Sequence, residues 1–322
     1  MKEQTEPFES VTQAAARWGV SSRRVRALCG QGLIQGAVRS GSRWRIPLSS
    51  PRPSDGRKTR GLEIRPAFRP VFREVDALRD EFARRRPLTE GEQRRIEDEF
   101  TVEYTHDSNA IEGNTLTLSE TARVLEGMTI DKKPLKDHLE AIGHRDAFRY
   151  LLRAFRDKIP LTEWFVREIH MLVLADRPED RGAYRKINVK ILGAHHVPPE
   201  PFLVPQQMEE LMVRLVESRK HPIEKAALFH VLFEAVHPFV DGNGRTGRLL
   251  LNFLLMQEGY PAINVKYADR HRYYDAFTAY HRDQDDTKIV LLVAEYVASR
   301  LKERLRQGPP LGTSVRLCKG LF

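Results

Sequence analysis

His237-Pro238-Phe239-Val240-Asp241-Gly242-Asn243-Gly244-Arg245-Thr246-Gly247-Arg248 separates two apolar segments, Ile223 to Val236 and Leu249 to Met256. Both segments are apolar nearly all round, and helices with that pattern are buried. The stretch between them is polar, glycine-rich and cationic, yet it is held inside a core. Buried polar backbone needs partners, so the loop is expected to hold a ligand.

Each residue type suggests a task. Gly242, Gly244 and Gly247 leave the backbone open to close approach. The loop feeds a helix whose first N–H groups are unpaired and whose dipole is positive there, which is a site for phosphate. Arg245 and Arg248 are three apart, so both lie on one face of a first helical turn and can grip neighbouring phosphates. Asp241 would repel phosphate unless a cation lay between them, and Mg²⁺ with oxygen ligands is the natural bridge. A neutral His237 can accept a proton near pH 7. Taken singly, a histidine is usually a structural hydrogen-bonder and an arginine pair a solvated face. The ordered string in one loop carries the reading.

That string satisfies every fixed position of HPF-x-[DE]-GNGR-x-x-R, and the chain resembles the Fic family from about Phe72 to Leu301. Arg181-Gly182-Ala183-Tyr184-Arg185, followed by INVKILGAHHVPPEP, is similar to the family's flap. Ser108 to Asn114 (SNAIEGN) is similar to its inhibitory motif, [ST]-x-x-x-E-[GN]. The resemblance implies transfer of AMP from ATP to a protein Ser, Thr or Tyr hydroxyl, with release of pyrophosphate. It implies that His237 is the base and that Phe239 anchors the loop. Asp241 would hold Mg²⁺ across the α- and β-phosphates. Gly242, Asn243 and Gly244 would form the anion nest, with Arg245 on the β-phosphate and Arg248 on the γ-phosphate. The intact GNGR core favours adenylylation over phosphorylation. Arg272-Tyr273-Tyr274-Asp275 resembles the segment beside the adenine, with Tyr273 or Tyr274 stacking on the base. Some relatives carry Asn where this chain has His281. Glu112 would pair with Arg248 and block productive ATP binding, and Ser108 would fasten the inhibitory helix. Inhibition would then act within one chain or between the copies of a homodimer.

Composition sets outer bounds. A chain of 322 residues suggests two domains. Its apolar runs are far short of the ~20 residues that span a bilayer, and MKEQTEPFES has no apolar core of a signal peptide. Two cysteines, Cys29 and Cys318, have no metal spacing and point to a reducing cytoplasm. Charge is uneven: residues 1–60 hold 12 Lys+Arg and 4 Asp+Glu, which leaves the rest close to neutral against a total of +9. A basic end suggests an anionic partner, most often nucleic acid.

The basic end reads as two short helices and a hairpin. Ser10 or Thr12 caps the first helix, Gly19 turns the chain, and Ser21 or Ser22 caps the second, with Val25 and Leu28 inward. Two strands around Ser40-Gly41 form a basic wing. This segment resembles excisionase-like or MerR-like winged helices. Arg23, Arg24 and Arg26 would face a major groove, and Arg39, Arg43 and Arg45 the DNA backbone. A small basic module for protein contacts is the plainer alternative. Pro47 to Gly61 reads as a linker.

Beyond Phe68 the chain is mostly helical. Thr89-x-x-Glu92 and Thr117-x-x-Glu120 are capping-box patterns, and Pro134 to Phe155, Thr162 to Leu174 and Ile289 to Leu301 read as helices. Only INVKI, Ile187 to Ile191, reads as a strand; as an edge it can pair with an extended target. His195-His196 reads as exposed rather than as metal ligands. The predicted fold is mainly α: a helical Fic core with a small β-hairpin flap, plus a small N-terminal winged helix-turn-helix. The expected divisions are 1–47 for that module, 48–66 for the linker, 67–130 for a helical region with the inhibitory motif, 131–306 for the Fic core and 307–322 for a tail. The leading expectation is a self-inhibited protein adenylyltransferase with a DNA-binding module and no membrane association. Two alternatives are a DNA-binding regulator whose Fic fold senses nucleotide, and a Fic enzyme that transfers another group or removes AMP.

Overall fold

The computed structural model describes residues 8–18, 20–30, 34, 36–41, 43–50, 62–85, 88–191 and 196–307. Most of the linker expected before Gly61, the tail from 308, Gly19 and His195 lie outside the described residues. The chain forms two compact units, residues 1–61 and 62–322.

In the first unit, β1 (Phe8–Ser10) leads into α1 (Val11–Trp18) and α2 (Ser22–Gly30), followed by β2 (Val38–Ser40) and β3 (Arg43–Pro47). Ser10 caps α1: its Oγ accepts from the Gln13 N–H, and the Gln13 side chain accepts from the Ser10 N–H at 2.8 Å. The sheet is antiparallel in the order β1-β3-β2. Ser40 pairs with Arg43, and Gly41 takes φ 61° at the turn, as the hairpin reading expects. The strand β1 is an addition to that reading; three residues are too few to show alternation. Pro47 pairs with Phe8 inside β3, so the linker begins after it. Val11, Ala14, Trp18, Val25, Leu28 and Ile46 form a small core.

The second unit is helical among the described residues. Its helices are α3 (Arg69–Ala83), α4 (Glu90–Ile111), α5 (Leu118–Leu125), α6 (Leu135–Arg156), α7 (Glu163–Val173), α8 (Val204–Glu217), α9 (Pro222–Val236), α10 (Asn243–Gln257), α11 (Arg270–Asp283) and α12 (Thr287–Gln307). Both capping boxes form, at Thr89–Glu92 and Thr117–Glu120. The central pair is α9 and α10, whose apolar side chains are buried on nearly every face. Each such Leu, Val or Phe contributes roughly 1.5–3 kcal/mol by leaving water, which fixes the ends of both helices and the loop between them. None of the described helices is long and apolar enough to cross a membrane.

Residues 62–66, expected in the linker, belong to this unit. Glu63 bridges to Lys220, and Arg65 pairs with Glu224 and Asp286. The strand expected at Ile187 to Ile191 is not formed among the described residues. Within it the Ile187 carbonyl accepts from the Arg185 guanidinium at 3.1 Å, and the same group holds the Pro199 and His237 carbonyls at 2.5 and 2.8 Å. A side chain therefore does the tying that a ladder partner would do.

Helices α6 and α7 approach closely at Gly143, where a Cβ would lie 2.6 Å from the Leu172 carbonyl oxygen. Gly143→Ala should gain up to about 1 kcal/mol of helix propensity but lose about 1–3 kcal/mol to overpacking against backbone. The expected net result is a lower melting temperature, by roughly 2–8 °C, in a calorimetric scan.

Candidate nucleotide site

Helix α9 ends on His237, which adopts the left-handed conformation (φ 47°) and donates its N–H to the Phe233 carbonyl. Pro238 then turns the chain out of the helix. Phe239 is fully buried and stacks on His170 of α7, centroids 3.6 Å apart and rings nearly parallel. The Asn243 side chain brackets Phe239, accepting its N–H and donating to its carbonyl, each at 2.9 Å. Asn243 is thus a loop lock, a task the sequence reading did not give it. Gly242 takes φ 75° and α10 starts at Asn243. The first N–H groups of α10 consequently cap the loop interior.

His170 fixes the next residue. Its Nδ1 accepts from the Gly182 N–H, so Nε2 carries the proton and donates to the Asp241 carbonyl at 3.0 Å. Burial pushes the His170 pKa down to about 4, which keeps this tautomer neutral. The Asp241 carboxylate accepts from the Gly242 N–H at 2.6 Å and faces Arg245 at 3.4 Å and Arg177 at 3.2 Å. Burial raises its pKa, but Arg245, the Gly242 N–H and Arg177 together hold it below the usual carboxylate value.

Both loop arginines are buried. Arg245 lies 3.1 Å from Glu140 of α6. Arg248 donates to Ser108 Oγ at 3.0 Å, to the Ser108 carbonyl at 2.7 Å and to Glu112 at 2.7 Å. Ser108 and Glu112 sit on the last turn and the end of α4, where Gly113 (φ 94°) turns the chain away. Against the cost of burial, Glu112 favours the charged form of Arg248. Gly244 serves this contact: a Cβ there would fall 2.1 Å from Glu112 Oε1. In this state the glycine makes room for the carboxylate.

The two tyrosines part company. Tyr273 is buried beneath the Arg248 guanidinium and its hydroxyl bonds His230 at 2.6 Å, so its ring is not free to take a base. Tyr274 is 46% exposed and donates to the Ile111 carbonyl, one residue before Glu112. His196, expected to be exposed, is half-buried: it stacks on His281 at 4.3 Å and bonds the Ala235 carbonyl.

The structure thus brings His237, Asp241, Gly242 to Arg245, Arg248, Ser108 and Glu112 to one place. Sequence reasoning missed Glu140, Arg177, His170 and Glu234, which lie far along the chain or outside the motif, and named Arg185 only as part of the flap. Arg23, Arg26, Arg39, Arg43 and Arg45 are exposed on the first unit. The side chain of Arg24 lies outside the described residues.

Asp241 is one oxygen donor, and no group of three or more His, Cys, Asp or Glu among the described residues could hold a metal alone. That donor set fits Mg²⁺ shared with phosphate oxygens, the usual way this ion is bound.

The loop joins a glycine-rich turn, a helix N-terminus, two buried arginines and one acid in a helical protein. Residues 160–255 match the Fic/DOC family. Protein adenylyltransferase Fic of Drosophila yakuba is 38% identical over 189 residues, covering 57% of this chain and 38% of that protein. Its namesake from Nematostella vectensis is 39% identical over 183 residues, 55% of this chain and 42% of that protein. The chain therefore spans about two fifths of the length of these curated relatives. Among solved structures, a fragment of Fic-1 from C. elegans superposes with a TM-score of 0.68 at 30% identity, covering 75% of this chain and 72% of that one. A Fic domain containing signaling protein from Bacteroides thetaiotaomicron gives 0.63 at 27% identity, with 74% and 96% covered. The chain belongs to the Fic/DOC family.

Proposed function

We propose that this chain is a self-inhibited protein adenylyltransferase, which moves AMP from ATP to a hydroxyl of a protein target. The observation that supports it most is the Glu112–Arg248 contact beside an intact His237–Arg248 loop. The curated relatives named above carry the same activity in their names.

The chemistry follows from the placement of the groups. ATP phosphates lie on the N–H groups of Asn243, Gly244 and Arg245, with Arg245 and Arg248 on the outer phosphates. Mg²⁺, when bound through Asp241, neutralises phosphate charge. His237 takes the proton of the target hydroxyl. The hydroxyl oxygen bonds to the α-phosphorus, the bond from that phosphorus to the β-bridging oxygen breaks, and pyrophosphate leaves. Positioning and charge stabilisation supply most of the acceleration. Tyr274, with its open ring, is the residue assigned to the adenine.

Glu112 holds the place of a terminal phosphate. While it occupies Arg248, the γ-phosphate has no cation to meet, and a nucleotide binds out of line for attack. Ser108 and Glu112 reach Arg248 within a single copy of the chain, which supports intramolecular inhibition. The reading is tested with ATP labelled on either the α- or the γ-phosphorus, incubated with the Glu112→Gly protein and Mg²⁺. Label should enter protein from the α-position alone; label from the γ-position would make the protein a kinase and overturn the reading.

A second reading concerns residues 1–47, which we read as a winged helix-turn-helix that binds DNA. Its support is the exposed set Arg23, Arg26, Arg39, Arg43 and Arg45 on one helix and one hairpin. Replacing Arg39, Arg43 and Arg45 by alanine should weaken duplex binding in a mobility-shift assay. It should also flatten the salt dependence by about one for each phosphate no longer neutralised. Binding that ignores salt would remove DNA from the account. ATP as co-substrate and the buried Cys29, free among the described residues, suit a cytoplasmic setting.

A further inference from the structure

Glu234 belongs to no part of the loop motif, yet it stands beside its histidine. It lies one turn before His237 on α9, and its Oε2 is 3.8 Å from Nδ1 of His237. Both side chains are largely covered, 12% and 18% exposed. Oε1 of Glu234 and Nδ1 of His237 are buried and make no well-aligned hydrogen bond among the described residues. Gly247 opens the space that Glu234 fills: a Cβ there would lie 2.5 Å from its Oε1 and 2.8 Å from Nδ1 of His230. A carboxylate kept in a covered site next to one ring nitrogen of a histidine, with its Oε1 unpartnered among the described residues, needs a reason.

We propose that Glu234 is the acid partner of His237: a positioning residue whose carboxylate faces Nδ1, directs Nε2 at the target hydroxyl and stabilises the imidazolium formed when that hydroxyl gives up its proton. The proposal rests on the reading of His237 as the base. Its logic is general: a base that must become cationic in a covered site is served by an anion on its far nitrogen. The proton balance is simple. It passes from the target oxygen to Nε2, the Nδ1 proton stays on the ring, and Glu234 gains nothing.

The surroundings tie this dyad to the inhibitory switch. Glu234 is faced by Glu112 from the end of α4, Arg248 from α10, Tyr273 from α11, and His230 and His237 on its own helix. Burial first, and Glu112 second, push its pKa up to about 8, against Arg248. His237 is pushed down to about 4 by burial; the Glu234 carbonyl, Glu112 and Asp241 favour its charged form and Arg185 opposes it. Burial, more than Glu112, thus favours the neutral form of both groups. Departure of Glu112 removes the smaller of the two pressures on Glu234 and leaves Arg248 to favour its charged form.

The test uses the full chain in the Glu112→Gly background, with Glu234→Gln and Glu234→Asp added separately. Gln keeps shape and the backbone carbonyl but cannot carry charge; Asp restores the charge. The active form needs both groups deprotonated, so activity falls as pH drops through the higher of their two titrations. Glu234→Gln should lower kcat roughly 10–100-fold with the KM for ATP unchanged. It should also move the acid limb down by about one pH unit or more, and Glu234→Asp should recover part of both. NMR titration of His237 in the same proteins without ATP should show its midpoint falling in the Gln variant and staying near the parent in the Asp variant. An unmoved midpoint and limb in Glu234→Gln would overturn the proposal, and so would an equal loss of ATP affinity in both variants. If Glu112→Gly transfers no AMP, the adenylyltransferase reading falls, while the NMR titration still decides whether Glu234 acts on His237.

Discussion

Glu112→Gly should raise the rate of AMP transfer by roughly 10–100-fold at saturating ATP and Mg²⁺, read as initial incorporation of α-labelled nucleotide. The magnitude follows from what is removed. Arg248 donates to Ser108 Oγ, to the Ser108 carbonyl and to Glu112, and of these acceptors Glu112 carries the negative charge. A hydrogen bond to a charged group is worth about 1.5–3 kcal/mol net, and 1.4 kcal/mol is a factor of ten in rate. Ser108 keeps Arg248 in place after the substitution, so the cation is freed without being lost. The fold should survive, because Glu112 caps a helix end and is one-third exposed. An unchanged rate at saturating nucleotide would remove the switch from this account.

His237→Ala in the same background should reduce transfer by ~10²–10⁴-fold, the usual worth of a positioned base, with ATP affinity close to the parent. The separation is expected because the ring, not the backbone, is used for the proton. The N–H to Phe233 and the carbonyl to Arg185 remain. His237 sits at φ 47°, a conformation that Asn tolerates better than Ala. His237→Asn therefore separates a lost base from a disturbed cap. Loss of transfer in both variants with ATP still bound identifies the base. Loss of ATP binding in Ala alone would assign its defect to the backbone.

Much of this site was legible in the sequence because its parts are consecutive. His237 to Arg248 is one string between two apolar helices, and its order alone carries the phosphate-loop reading. Glu112 was legible for a different reason, a short motif with its serine one turn earlier. What stayed hidden depends on contacts between distant residues. Glu140 reaches Arg245 across about a hundred residues, and no local pattern marks it. Arg177 and Arg185 look like ordinary basic loop residues until Asp241 and the His237 carbonyl are placed beside them. Periodicity also misled at the flap. Ile187 to Ile191 alternates like a strand, but alternation reports only which side chains could share a face. It does not supply a partner, and Arg185 takes the local carbonyls instead. Asn243 shows the same limit from the other side: its place in the motif suggests a ligand contact, while the structure engages both ends of its amide with Phe239.

The central claim is that Glu112 restrains an otherwise competent AMP-transfer site based on His237. Intact mass spectrometry after incubation with ATP, Mg²⁺ and a lysate fraction as target source tests it most directly, on wild type, Glu112→Gly and the double variant Glu112→Gly/His237→Ala. The account predicts that AMP addition, on the chain itself or on a target, is far greater with Glu112→Gly than with wild type or the double variant. Equal AMP addition by wild type and Glu112→Gly, or addition that persists in the double variant, would contradict it.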